Sequence, residues 1–186
     1  MRDARILSAL AAALIASTSL APTGCRRFEV VEREDAIRLH RFLAAKLPAY
    51  HDARVAERAA MAEILRVMND LIPDRRSFVA ERLRQEVLNP KHTYKALHDE
   101  LNGWRLSGRA EEQRKTVCAH LKQRERALLT FTVLLTGIRD AQGDDEAAVQ
   151  KQIESLGVSA RKQDPVVDGL TPVIEQLGLL RASVGQ

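Results

Sequence analysis

The chain lacks most of what marks a catalytic or cofactor site. It has two cysteines, one Trp, two Tyr and four Phe in 186 residues. No Glu-x-x-His occurs, so a di-iron carboxylate site built on facing helices is unsupported. His-Glu-x-x-His, which sets two zinc ligands on one helix face, is absent, as are Cys-x-x-Cys-His for covalent haem and Gly-x-Ser-x-Gly for a nucleophilic serine. Glycines stand singly, so no phosphate-cradling loop is present. His40, His51, His92, His98 and His120 never pair at a spacing of three or four, and Cys118 and His120, two apart, point to different helix faces. A metal or haem set drawn from separate helices is the one such arrangement the spacing leaves open. His98, Asp99 and Glu100 are consecutive and fan out around a helix as solvated groups.

Strong charge of one sign is also missing. The net charge is +4, and +3 without residues 1–24. That is too mild to imply a nucleic-acid partner. After the N-terminal segment, the longest apolar run, Ala127 to Ile138, is too short to cross a bilayer, which takes about 20 residues. Leu129 to Val133 alternates as a strand would, but no second strand-like segment exists to pair with it.

Ala, Leu, Arg and Glu dominate instead, a mix that favours helices. Apolar stripes at spacings of three and four predict helices over about Val31–Leu47, His51–Ile72, Asp74–Leu88, Lys91–Leu101, Arg109–Ala141, Asp145–Leu156 and Asp164 to the end. Pro48, Pro73 and Asn89-Pro90 are expected to interrupt them, Gly143 to turn the chain, Asp164-Pro165 to cap the last helix and Gly157 to stop the one before it. Gly169 and Pro172 should kink the last helix near Thr171. The expected fold is all-α, a single helical bundle of six to seven helices over residues 31–186, behind an N-terminal signal segment.

That segment carries the clearest message. Arg2 and Arg5 precede an Ala- and Leu-rich run from Ile6 to Leu20, which ends at Ala21-Pro22-Thr23-Gly24-Cys25. A basic start, an apolar core and a small-residue boundary describe a secretory signal. Thr23-Gly24-Cys25 resembles the end of a bacterial lipoprotein signal, over these first residues only. Pro22 stands where an aliphatic residue is usual. The resemblance implies a signal peptide over 1–24, a diacylglycerol thioether on Cys25, a short tether over 25–30 and a membrane-anchored protein facing the periplasm. An ordinary cleaved signal, an uncleaved membrane anchor and a cytosolic helix are the alternatives. With lipid on Cys25, Cys118 is a lone thiol; without it, a Cys25–Cys118 bridge is possible.

The most basic stretch holds Arg105, Arg109, Arg114, Lys115, Lys122, Arg124 and Arg126 against Glu111, Glu112 and Glu125. It reads as a charged helix face or as a contact surface for anionic headgroups or an acidic partner. Trp104 follows Gly103 at a helix end, as a core plug or an aromatic anchor. With no catalytic residues to name and no cofactor implied, the expectation is a lipid-anchored, non-catalytic interaction or scaffold module of the cell envelope with a protein partner. The alternative is a periplasmic carrier holding haem, metal or a small apolar ligand in the bundle core.

Overall fold

The computed structural model describes residues 23–141, 146–162 and 169–183, with side chains from 30 to 178 within those spans. Of the signal expected over residues 1–24, residues 1–22 lie outside the described residues, as do the expected turn at 143–145, the Asp164-Pro165 cap and the Cys25 side chain. Five α-helices are described: α1 Thr23–Val67, α2 Arg76–Asn102, α3 Gly108–Asp140, α4 Glu146–Lys162 and α5 Thr171–Ser183, with a 3-10 turn at Met68–Asp70. No strand occurs among the described residues, and the alternating stretch 129–133 lies inside α3. The fold is all-α.

The expected six to seven helices become five because two prolines fail to break theirs. Pro48 lies inside α1 and Pro90 inside α2. In α1 the buried stripe Leu39, Leu43, Tyr50, Ala53, Glu57 and Ala60 keeps phase across Pro48. Pro48 and Ala44 are both exposed, so the Ala44 carbonyl that loses its donor faces water. In α2 the stripe runs through the proline itself: Leu83, Val87, Pro90, Tyr94, Leu97 and Leu101 are buried at alternating spacings of four and three. Continuous tertiary packing outweighs one lost backbone bond at each site. The stretch 25–30, expected as a tether, is part of α1.

Gly157 does not stop α4 either. It is buried within the helix, and the methyl and sulfur of Met68 fill the place a Cβ would take. The bend at Gly169–Leu170 falls just ahead of α5. Pro172 sits in the first turn of α5, where its missing N–H has no intrahelical partner to lose.

Cross-helix contacts fix the topology. Arg109 N donates to Glu32 Oε1 (2.9 Å), Tyr50 meets His120 and Glu57 meets Arg124, so α1 and α3 run the same way. Lys46 pairs with Glu100 (2.9 Å) and Arg82 with Glu63 (2.7 Å), so α2 runs against them. Two carboxylates of α1 close the start of α3. Asp35 Oδ2 accepts from Ser107 N (2.8 Å) and Oγ (2.7 Å), and Glu32 sits against Gly108, whose φ of 51° suits glycine. Negative charge belongs at this helix N-terminus. Trp104 plugs the same end, 5.0 Å from the Phe42 ring with the Arg38 guanidinium 4.3 Å above it.

Candidate functional site

Three helices bring an unusual set of polar groups into the middle of the bundle. On α1, Tyr50, Ala53 and Glu57 occupy core positions; on α2, Tyr94 does; on α3, Arg124 falls in the buried series 117, 121, 124, 128, 131, 135. Glu57 and Tyr94 have no exposed surface, and Arg124 keeps only 9%. The Tyr94 hydroxyl donates to Glu57 Oε2 at 2.8 Å, and Arg124 Nη2 donates to Glu57 Oε1. One carboxylate therefore answers a cation and a phenol. Burial, and then the Glu57 charge, push ionisation of Tyr94 far upward, so it is a fixed donor. Arg124 Nε is buried with no hydrogen-bond partner among the described residues.

A second junction lies one turn away. The Tyr50 hydroxyl is 2.8 Å from His120 Nε2 and accepts from Gly169 N at 3.1 Å. A Cβ at Gly169 would fall on the His120 ring, so glycine lets the backbone lie flat on the imidazole. The Tyr50 and Tyr94 rings are 5.9 Å apart and link the two junctions. Glu57, Tyr94 and Arg124 bond to one another, and Tyr50 bonds to His120 and Gly169. They tie α1, α2, α3 and the approach to α5 together.

The basic stretch divides. Arg114 and Arg124 turn inward and do not belong to a contact face: they are buried because both fall in the apolar phase of α3. Arg114 holds Glu111 with two bonds (2.8 and 2.7 Å) and donates to the Leu101 carbonyl (3.2 Å). That pairing lowers the Glu111 carboxyl to about 2. Arg105, Arg109, Lys115 and Arg126 are exposed and Lys122 is half-buried. Cys118 is buried, with Arg114 Nη1 3.7 Å from its sulfur, and burial pushes its thiol up. Cys25 lies in the first turn of α1.

His92 is exposed, and His40 lies beside Gly178 of α5. His98 Nδ1 does touch Asp99 Oδ1 (3.1 Å), and Asp99 also pairs with Lys95, whereas Glu100 pairs with Lys46. Among the described residues no three His, Cys, Asp or Glu side chains converge as metal ligands would, and no helix is long and apolar enough to cross a membrane.

Two concavities are open surface grooves. One, of about 420 Å³, is lined at the α1–α2 turn by Arg66, Asp70, Asp74, Arg75, Phe78 and Arg82, and the other, of about 410 Å³, lies along α1 at Glu34, Ile37, Arg38 and Arg41. Phe78 is 75% exposed.

Sequence reasoning missed Glu57, Tyr94 and Arg124 as one unit. The signal was there: each is a polar residue at a core position of an otherwise apolar three-and-four series. No family model, curated protein or solved structure matches this chain.

Proposed function

We propose that this is a lipid-anchored protein of the bacterial cell envelope, held through Cys25 and facing the periplasm, that acts as a non-catalytic interaction or scaffold module. The observation that carries the reading is the continuity of α1. The helix that begins at Thr23 is the same helix that supplies Tyr50, Glu57 and Ile64 to the core. At 1.5 Å per residue its 45 residues span about 68 Å. An acyl chain on Cys25 would thus sit at one end of a stiff rod, and the α1–α2 turn with its exposed Phe78 at the other. Such an arrangement holds a surface at a set height above a membrane.

The inside of the bundle supports the same reading. Glu57 is engaged by Tyr94 and Arg124, and Tyr50 by His120 and Gly169, so these polar groups hold helices together. A partner protein at the bundle surface, without nucleic acid or cofactor, fits these features. Intact mass of the protein extracted from membranes tests the anchor: the mature chain begins at Cys25 and carries the mass of a diacylglycerol, and Cys25→Ser moves the protein to the soluble fraction. A mature chain that begins elsewhere, or an unmodified Cys25, refutes it.

A further inference from the structure

The side of α3 that faces away from the core carries a second regular seam. Lys115, Ala119, Lys122, Arg126, Leu129 and Val133 follow one another at four, three, four, three and four residues. At 3.6 residues per turn they fall within about 80° of arc and along about 27 Å of axis, opposite the buried series on the same helix. Among the described residues no other helix covers them: five are exposed and Lys122 is half-buried. Leu129 is 45% and Val133 62% exposed. Alternation of three and four is the spacing by which one helix seats another.

The seam is graded in chemistry. Its first two-thirds carry three cations, and its last third is aliphatic. Lys122 is held 2.7 Å from Glu125, and Lys115 is 3.8 Å from Glu111, whose oxygens Arg114 already occupies. Arg126 has no ion pair among the described residues, so the cationic part is only partly neutralised. Glu112, Gln123 and Thr130 border the strip.

Charge selects the occupant. A second copy packed in parallel would set Lys115, Lys122 and Arg126 against themselves. Packed antiparallel about the seam's midpoint, it would set Lys122 against Arg126 twice. Like charges brought together across an interface are costly. A strip this narrow, with polar edges, also offers a membrane surface little to bury, since interfacial helices present a broad apolar face. We infer that the uncovered seam of α3 docks an amphipathic helix of another protein. That helix carries Asp or Glu opposite Lys115, Lys122 and Arg126, and apolar side chains opposite Leu129 and Val133. The inference rests on the reading of the protein as an interaction module and names the partner's chemistry.

Site-specific photo-cross-linking of the full-length chain in its native host tests it. One variant carries the photoreactive residue at Ala119 and a second carries it at Phe78. From Ala119 the expected cross-link is to a helix of a different protein with acidic residues spaced three and four apart. Its yield falls roughly tenfold in Lys115→Glu/Arg126→Glu and holds in Lys115→Arg/Arg126→Lys. Both positions are exposed, so an unchanged thermal melt by circular dichroism confirms that the reversal variant is folded. A cross-link only to lipid, one to a second copy, or a yield indifferent to charge reversal overturns the inference. Protein cross-links from Phe78 with none from Ala119 overturn the seam and leave the interaction-module reading standing. No protein cross-link from either position overturns both.

Discussion

Breaking the ion pair at the centre of the bundle should be more damaging than removing it. Glu57 is wholly buried and accepts from both Tyr94 and Arg124. In Glu57→Gln the amide can still accept from one of them. Its NH2 then faces the other donor, and the guanidinium of Arg124, a buried residue, is left without a counter-charge. Loss of one partner from a buried pair costs about 3–5 kcal/mol. At about 2–4 °C per kcal/mol for a chain of this size, the melting temperature falls by about 6–20 °C. Tyr94→Phe, which removes only one bond to a charged acceptor, costs about 1.5–3 kcal/mol.

The double variant Glu57→Leu/Arg124→Met removes both charges, together with the unpartnered Arg124 Nε. It should recover to near the parent stability, because the desolvation of both ions disappears with their attraction. Arg124→Met alone strands the buried Glu57 carboxylate without its cation and should cost about 3–5 kcal/mol. Urea unfolding followed by circular dichroism, completed as a double-mutant cycle, measures all of these. If Glu57→Gln costs less than about 1 kcal/mol, or if the double variant is no better than the worse single, the pair is not the buried, mutually dependent unit described above.

Three further outcomes follow from the packing. Gly169→Ala places a Cβ on the His120 ring and should cost about 1–3 kcal/mol in urea unfolding, with loss of the Gly169 bond to Tyr50; an unchanged midpoint means that the ring moves freely. Pro48→Ala restores a donor to α1 at an exposed site and should raise stability by about 1–2 kcal/mol once the gain in unfolded-chain freedom is subtracted; a lower melting temperature would show that the proline shapes the helix. Acid should destabilise the bundle. Glu63, Glu81, Asp99, Glu111 and Asp140 are all held below their ordinary values, chiefly by hydrogen bonds from Arg66, Arg84, Lys95, Arg114 and Arg139. A depressed folded pKa gives stability that is present above the unfolded value, near 4, and lost as pH falls toward about 2. A melting temperature that stays flat across that window would contradict these pairings.

The helical class and most buried positions were legible in the chain because apolar residues recur at three and four. Leu121, Leu128, Phe131, Leu135 and Ile138 lie where their spacing put them. Helix ends were less legible at the prolines. Local rules weigh the bond that Pro48 or Pro90 removes, but not the packing on either side that holds the helix in phase. Leu65 on α1 and Ile72 just past it are apolar yet 39% and 48% exposed, whereas Met61, four residues before Leu65, is buried. What a helix face meets is a property of the other helices, and one face's periodicity does not report it.

The same reasoning separates the two polar features of α3. Charge composition alone grouped Arg114 and Arg124 with Lys115, Lys122 and Arg126. The helical phase divides them: Arg124 belongs to the series that ends in Leu135, and Arg126 to the series that ends in Val133. The arginines of the first series are paired within the chain, Arg124 with Glu57 and Arg114 with Glu111. The second has the same regular spacing and a matching gradient from cation to aliphatic, and nothing in the described structure meets it. On the docking proposal, the first seam holds the bundle together and the second is the face that a partner helix would take; charge reversal at Lys115 and Arg126 separates the two, since it should alter docking and leave the melt of the bundle unchanged.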